Sequence, residues 1–71
     1  MTEVRAPMVG KIVEIIVEPG AHVEPDDELL IMESMKMEIP VGAPCGGIVR
    51  EVHVAEGAAV QEGELLVTLD G

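Results

Sequence analysis

The sequence predicts an all-β fold, a flattened β-barrel or sandwich of two four-stranded antiparallel sheets with an internal pseudo-two-fold repeat. Three observations predict it. The chain contains two copies of one segment at a constant offset of 37 residues. Each copy holds β-branched runs bounded by glycine, and no window has the sustained period of a helix. In each copy the apolar positions change parity once, which is typical of a strand that bends from one sheet toward another.

The repeat covers most of the chain, because residues 6–33 align without a gap on residues 43–70. Identical residues occupy Ala6/Ala43, Pro7/Pro44, Gly10/Gly47, Glu14/Glu51, Val17/Val54, Gly20/Gly57, Ala21/Ala58, Val23/Val60 and Leu29/Leu66. The final stretch aligns almost as well at an offset of 36, so the register of the last strand stays open. Two copies that each bury one apolar face are expected to pack against each other, giving about eight short strands.

The central strand of each copy is its longest β-branched run, IVEIIV in the first copy and IVREVHV in the second. The residues expected to face inward are Ile12, Ile15, Val17, Val49, Val52 and Val54. A regular pleat keeps one parity, but here the spacing changes between the first and second member of each set. We therefore expect a bulge or bend at the same place in both copies.

Proline and glycine mark the turns between strands. Pro19 and Gly20 occupy the second and third positions of a type II turn, and the third position requires a positive φ. Gly57 is at the equivalent position of the second copy, where a positive φ is also expected. Polar and glycine residues predict further turns at 24–27, 44–47 and 61–64.

Residues 34–42, with the sequence SMKMEIPVG, join the two copies. We predict that they form a linker at one end of the sandwich, and that the N- and C-termini lie together near the other end. A side chain at the tip of this linker is then presented far from the chain ends.

The size and composition allow one small domain, residues 1–71, and exclude a multidomain enzyme. Apolar residues make up 48% of the chain, but Phe, Tyr and Trp are absent, so the core must be aliphatic. The absence of aromatic residues also excludes a stacking platform for nucleic acid.

The net charge of the chain excludes some classes of binding partner. Four basic and fourteen acidic residues give a net charge of −10, which repels phosphate backbones and anionic lipid surfaces. Nucleic acid and membranes are therefore not expected as partners. The single cysteine forms no intramolecular disulfide and the first residues lack the apolar stretch of a signal peptide, so we expect a cytoplasmic protein.

Lys36 is the chemically distinctive residue, because it lies in the join, between Met35 and Met37. One interpretation is structural: the two methionines point into the core from a strand, and the lysine faces water as most lysines do. The other is functional, because the chain places a lysine outside the repeat, on a short hairpin turn between two unbranched thioethers. Methionine is adaptable and common on recognition surfaces. The position within the repeat favours the functional interpretation.

Three segments, APMVGKI, the EPG turn and above all ESMKMEIP, resemble the biotinyl domain of biotin-dependent carboxylases, within the biotinyl/lipoyl attachment family. The similarity runs from Val4 to Leu69. The size is similar to that of small free-standing biotin/lipoyl attachment proteins. The family fold has two four-stranded sheets, in agreement with the repeat. Ser34 replaces a more common alanine, and the segment 23–29 is too short for the protruding thumb of some acetyl-CoA carboxylase subunits.

The resemblance implies a biotin carboxyl carrier without catalysis of its own. Lys36 would hold biotin in amide linkage, with Met35 and Met37 as recognition flanks and Glu33 and Ser34 completing the matched turn. The implied partners are a biotin protein ligase and the biotin carboxylase and carboxyltransferase subunits between which the carboxyl group is carried. We expect a monomer when the domain is isolated.

Two alternatives remain open. A lipoyl carrier of a 2-oxo acid dehydrogenase complex has the same fold and lysine, but that family usually has Asp before the lysine and Ala or Ser after it, so the methionines favour biotin. Small attachment proteins could accept both groups. The second alternative is an unmodified interaction module whose exposed Met35 and Met37 form a binding patch.

The remaining reactive side chains carry no predicted site. Cys45 lies in a turn without a nearby histidine, and His22 and His53 form no metal-ligand spacing with it. The acidic turn at 26–28 lacks the alternating oxygen ligands of a calcium loop. No acid/base pair, nucleophile–base set or phosphate loop is visible, so an enzyme is the least favoured class.

Overall fold

A computed structural model describes all 71 residues, which form eight β-strands and no helix. The strands, β1 to β8 in chain order, are Thr2–Arg5, Gly10–Ile15, His22–Val23, Glu28–Ser34, Met37–Gly42, Gly47–Val52, Ala59–Val60 and Leu65–Asp70. One sheet has the order β1-β8-β6-β3 and the other the order β5-β4-β2-β7, and all pairs are antiparallel. The predicted all-β sandwich of two four-stranded sheets is confirmed. No helix is present that is long and apolar enough to span a membrane.

The core between the sheets is entirely aliphatic apart from one thioether. Its buried side chains are Val4, Ala6, Ile12, Val23, Leu29, Leu30, Met32, Val41, Ala43, Val49, Val60, Leu66, Val67 and Leu69. Among the residues predicted to face inward, Ile12 and Val49 are fully buried, and the other four pack against the core while partly exposed. Branched aliphatic side chains thus fill a small interior without aromatic rings.

Both central strands contain the predicted irregularity. The pairing of β2 with β4 shifts register between Ile12 and Glu14, and that of β6 with β8 shifts between Val49 and Glu51. Each shift places one extra residue, Val13 in β2 or Arg50 in β6, in the central strand. The extra residue bends the strand and changes the parity of the residues that follow. After β2 the chain crosses to β3 in the other sheet, and after β6 it crosses in the opposite sense to β7.

The offset of 37 holds through the last strand of each copy. The N–H of Ile16 donates to the carbonyl of Leu29 at 3.0 Å, and the N–H of His53 donates to the carbonyl of Leu66 at 2.8 Å. These bonds are equivalent only at an offset of 37 residues. The register that the sequence left open is therefore settled, and the two copies match in backbone hydrogen bonds as well as in sequence.

The predicted linker at 34–42 is largely wrong. Ser34 ends β4, and Met37–Gly42 forms β5, so only Met35 and Lys36 lie between strands. β5 is the counterpart of β1, and its buried Val41 corresponds to the equally buried Val4 at the same offset. The repeat thus begins earlier than residue 6, and this identical pair was the sequence signal for it.

The hairpin turn and the chain termini lie at opposite ends of the molecule, whose longest dimension is 31 Å. The termini are adjacent, because Thr2 pairs with Leu69 and the Thr2 hydroxyl donates to the carbonyl of Gly71 at 3.3 Å. The C-terminal ends of β1 and β5 meet midway, where Val4 and Val41 line one groove. From there β5 leads back to the turn and β1 leads back to the N-terminus.

Four equivalent turns, two per copy, connect the short strands to their neighbours. In each, the N–H of the fourth residue donates to the carbonyl of the first, at 3.0–3.1 Å. The third residue has a positive φ in every case: Gly20 (95°), Asp26 (71°), Gly57 (89°) and Gly63 (83°). The turns expected from Pro19–Gly20 and from Gly57 have the predicted type II character.

Replacement of Gly20 by valine is expected to destabilise the domain through backbone strain alone. No atom lies within 4 Å of a Cβ added at this position, but a β-branched residue at φ 95° costs about 1–3 kcal/mol. We expect thermal unfolding to lower the melting temperature of Gly20→Val by about 5 °C or more. Glu18→Val adds the same side chain at an exposed position of the same turn and is the control. Equal melting temperatures for the two variants would contradict the strain argument.

Candidate functional site

The turn between β4 and β5 is a two-residue hairpin that contains Lys36. Ser34 and Met37 form the last pair of the two strands, leaving Met35 and Lys36 as the turn. Both turn residues have a positive φ, 53° for Met35 and 67° for Lys36. This is the pattern of a type I′ turn, whose twist matches that of the flanking strands.

Met35 and Lys36 are unusual residues for such a turn. Type I′ turns are dominated by Asn-Gly and similar pairs, because other residues are strained at positive φ. The left-handed conformation costs an ordinary residue on the order of 1–3 kcal/mol. Two such residues in succession form a local outlier at the tip of the molecule, and outliers of this kind cluster at functional sites.

All three side chains of the Met-Lys-Met segment are exposed. Met35 is 90% exposed and Met37 is 62% exposed, and Lys36 between them makes no ion pair. The interpretation in which both methionines point into the core is therefore wrong. Met35 belongs to the turn itself, and Met37 has the inward parity of Val41 but lies beyond the end of the core. The predicted hairpin turn bearing the lysine is confirmed.

Ser34 and Glu33 lie on β4 rather than in the turn, which corrects the predicted placement. Ser34 is buried, because it continues the inward-facing series of Leu30 and Met32 at the end of the core. Glu33 alternates with these residues and faces solvent. Of the two, only the Glu33 side chain is accessible to a partner at the tip.

The outer face of the sheet next to the turn carries a row of charged side chains. Glu33 lies between Lys11 of β2 and Glu38 of β5 in the register of the three strands. All three are exposed, so attraction to Lys11 and repulsion from Glu38 each contribute little to stability. The row leaves the face behind Lys36 acidic overall.

The β1–β2 loop also reaches the tip, a placement that sequence reasoning missed. Because Lys11 pairs with Glu33, the antiparallel register places the residues before β2 beside the β4–β5 turn. Val9 and Met8 lie there, half exposed. Gly10 allows the close approach, since a Cβ at this position would stand 2.5 Å from the carbonyl oxygen of Glu33. In the sequence, only the repeat symmetry combined with the pairing of β2 and β4 indicated that the β1–β2 loop lies beside the turn.

The other reactive side chains lie away from the tip. Cys45 contacts Thr2 near the termini, with its thiol 3.5 Å from the hydroxyl. His53 Nε2 lies 2.7 Å from the Thr68 hydroxyl, and His22 pairs at 3.8 Å with Glu24. No group of three or more His, Cys, Asp or Glu side chains is arranged to hold a metal ion.

The chain belongs to the biotin/lipoyl attachment family, described as biotin-requiring enzyme, which it matches over residues 2–69. It is 42% identical over 67 residues to a biotinylated protein TB7.3 homolog of Mycobacterium leprae, with 94% of each chain covered. It is 45% identical over 62 residues to a biotin/lipoyl attachment protein of Bacillus subtilis, covering 87% of this chain and 85% of that protein.

Larger relatives contain a similar segment. Identity to pyruvate carboxylase of Bacillus subtilis is 38% over 69 residues, but the chain spans only 6% of that protein. A segment of the Kluyveromyces lactis urea carboxylase matches with a TM-score of 0.92 and 29% identity, over 97% of this chain and 6% of that one. The lipoyl domain of the 2-oxoglutarate dehydrogenase complex from Azotobacter vinelandii matches with a TM-score of 0.85 and 27% identity, over 100% and 98%.

The fold, the tip and these relatives define a biotin/lipoyl attachment domain related to the carrier domains of carboxylases. Domains of this family carry a group and are not catalytic in themselves. The predicted family and fold are confirmed.

Proposed function

We propose that this chain is a biotin carboxyl carrier, covalently biotinylated on Lys36. In this role it carries a carboxyl group between the biotin carboxylase and carboxyltransferase sites of a biotin-dependent carboxylase. The observation that carries the proposal is the exposed Lys36 at the tip of a strained two-residue hairpin, between two exposed methionines.

The geometry of Lys36 suits acylation by an external enzyme. Its amine is exposed at the end of the molecule opposite the termini and makes no ion pair that would have to break. Lysine amines are protonated near neutral pH, so a biotin protein ligase must remove a proton before attack. Nζ then attacks the carbonyl carbon of the biotinyl adenylate, a C–N bond forms, AMP leaves, and a second proton is lost from the new amide.

The contribution of the chain itself is to hold Lys36 in a fixed position. Five consecutive antiparallel pairs, from Leu30 with Val41 to Ser34 with Met37, hold the turn at the end of the β4–β5 hairpin, so we infer that the attachment point is rigid. When bound, biotin supplies a ureido nitrogen that accepts and releases the carboxyl group. A flexible side chain on a rigid tip confines the search to a small volume, which raises the effective concentration at both enzyme sites.

The methionines favour biotin over lipoate, although the lipoyl-domain likeness keeps a lipoyl carrier as the second candidate. Lipoyl domains usually place Asp before the lysine and Ala or Ser after it, whereas this chain presents two thioethers. An unmodified interaction module is the third candidate, since Met35 and Met37 would also form its binding patch. Glu33, on the accessible face of β4, completes the surface that we propose the ligase recognises. Ser34 belongs to the same matched segment but is buried beneath that surface.

We further propose that the partners are the ligase and the two carboxylase activities, and that the isolated domain is a cytoplasmic monomer. The carboxylases among its relatives support the first point. The acidic surface, with a net charge of −10, would steer the domain toward basic patches on these partners. The single cysteine fits a reducing compartment.

Intact-mass spectrometry after incubation with a biotin ligase or, separately, a lipoyl ligase tests the choice of group. We expect one biotin on Lys36, transferred at least about tenfold faster than lipoate, because a pocket fitted to the flanking side chains discriminates by roughly 1–3 kcal/mol. The double variant Met35→Asp/Met37→Ala is the matched comparison and should lose this preference. Lipoylation alone would make the domain an acyl-transfer carrier, and no addition from either ligase would favour the interaction module.

A further inference from the structure

The five methionines of the chain differ sharply in exposure, and the two most informative ones flank Lys36. Met35 and Met37 present their thioethers to solvent at the tip. Met32, which lies on β4 three residues before the turn, is completely buried. Met8 is less exposed than the flanking pair, and Met1 is exposed at the opposite end of the molecule. Exposed thioethers are the ones that oxidants reach.

We propose that Met35 and Met37 form a reversible oxidation site that controls whether Lys36 is modified. The two-electron oxidant is a peroxide, and the oxidised tip is a poor acceptor. This inference rests on the proposed function, because the controlled step is the transfer of biotin to Lys36.

The chemistry at each sulfur is a single oxygen transfer. A lone pair of the thioether attacks one oxygen of hydrogen peroxide, an S–O bond forms and the O–O bond breaks. The proton on the transferred oxygen passes to the departing hydroxide, which leaves as water. The sulfur is oxidised by two electrons and the peroxide is reduced by two. The product, methionine sulfoxide, is returned to the thioether by methionine sulfoxide reductases, with one enzyme for each epimer. A dithiol supplies the two electrons and two protons and becomes a disulfide, and the oxygen leaves as water.

The position of the two sulfurs connects this oxidation to Lys36. The side chains before and after the lysine are apolar, and Lys36 itself is the only charged residue of the two-residue turn. A ligase that takes Lys36 into its active site must also accommodate these neighbours and exclude water from them. Each sulfoxide places a strong hydrogen-bond acceptor on that surface, and burying it without a partner is unfavourable.

The fold is expected to tolerate this oxidation. Met35 and Met37 are absent from the core, and the only core methionine, Met32, is shielded at the end of the sheet next to Gly10. Oxidation at the tip therefore changes a surface without removing core contacts. A slower transfer of biotin to the oxidised chain can therefore be distinguished from unfolding of the domain.

Graded treatment of the unmodified chain with hydrogen peroxide, followed by fragment mapping, tests the first half of the inference. We expect oxidation first at Met35, Met37 and the distant Met1, more slowly at Met8, and none at Met32 while the chain is folded. Circular dichroism melting should be unchanged. Oxidation of Met32 in step with the tip residues, or loss of the folded signal, would overturn the assignment of a surface site.

Competition within one sample tests the second half. A partly oxidised mixture is incubated with limiting biotin ligase, ATP and biotin, and intact mass with fragment mapping records biotin on each species. We expect the chain oxidised at both Met35 and Met37 to react at least about tenfold more slowly than the unoxidised chain, the cost of about 1.4 kcal/mol in recognition. Chains oxidised only at Met1 are the internal control and should react normally.

Repair and substitution complete the test. Treatment with both sulfoxide reductases and a dithiol reductant should restore the rate, and the single variants Met35→Leu and Met37→Leu should each lose part of the peroxide sensitivity. Equal biotinylation of oxidised and unoxidised chains would overturn the inference and leave the proposed function standing. If the unoxidised chain accepts no biotin, the proposed function fails and the inference fails with it.

Discussion

A Lys36→Arg chain is expected to fold normally and to gain no mass from a biotin ligase. The guanidinium group stays protonated at the neutral pH of the reaction, so it offers no nucleophilic nitrogen to an acyl adenylate. The loss should be complete, in contrast to the partial effects expected at the flanking methionines. Intact-mass spectrometry under conditions that fully modify the parent chain measures it.

The structure also provides the matched control for this substitution. Lys11, the only other lysine, is exposed on β2 in the same sheet and close to the same tip. Lys11→Arg should be modified as readily as the parent, and both variants should melt at the parent temperature because neither side chain packs in the core. Biotin on the Lys36→Arg chain would place the modification site elsewhere. Loss of biotin from Lys11→Arg would contradict Lys36 as the sole acceptor, because this substitution removes an amine while keeping the positive charge.

Much of the fold could be predicted because its determinants repeat. The change of parity after Ile12 and after Val49 indicated a bulge in each copy, and the strand pairings shift at those places. Pro19 and Gly20 fixed a turn whose φ values admit few alternatives. These features depend on a few neighbouring residues, so the sequence alone contains enough information to locate them.

β5 was harder to predict because its sequence resembles a linker. Pro40 interrupts it, and a proline is normally evidence against a strand in the interior of a sheet. β5 lies at the edge of its sheet, where one side of the backbone needs no partner, so the proline is tolerated. Edge position is a property of the assembled sheet and cannot be inferred from these six residues by themselves.

The exposure of Met35 and Met37 shows the same limit at the site. Alternation along a strand predicts an inward direction for Met37, and that direction is right, but the core ends before it reaches this residue. Where a core ends depends on the length of the opposing sheet. The lysine could be assigned to a hairpin from its position between the copies, whereas the accessibility of its neighbours required the structure.

The pseudo-two-fold symmetry explains why a lysine hairpin occurs at only one end of the molecule. Gly10 approaches the carbonyl of Glu33 just as Gly47 approaches the carbonyl of Asp70, so both ends are built in the same way. At one end the two-residue turn joins β4 to β5, and at the other end β1 and β8 pair beside residues 1 and 71. The side chains of the turn are therefore exposed at the end of the domain that is farthest from the two termini.

Gly10→Ala is expected to destabilise the domain strongly and to disturb the lysine turn. The new Cβ would stand 2.5 Å from the Glu33 carbonyl oxygen, a backbone atom that the ladder holds, and 2.7 Å from the flexible end of Met32. Methionine can move aside, but the carbonyl can move only if β4 shifts away from β2. We expect a loss of about 2–3 kcal/mol, which lowers the melting temperature of so small a domain by about 10 °C or more.

Gly46→Ala separates this steric effect from the general effect of replacing a glycine. Its added Cβ would meet nothing closer than the Val23 carbonyl oxygen at 3.4 Å, an ordinary contact, and its φ is not positive. Both substitutions reduce the entropy of the unfolded chain equally, so Gly46→Ala should be neutral or slightly stabilising, by up to about 1 kcal/mol. Because Glu33 lies two residues before the turn, Gly10→Ala should also slow biotin transfer at temperatures where it is still folded, and Gly46→Ala should not. Equal melting curves for the two variants would mean that β4 and β2 are not in contact at Gly10, and the close approach that positions the lysine turn would have to be abandoned.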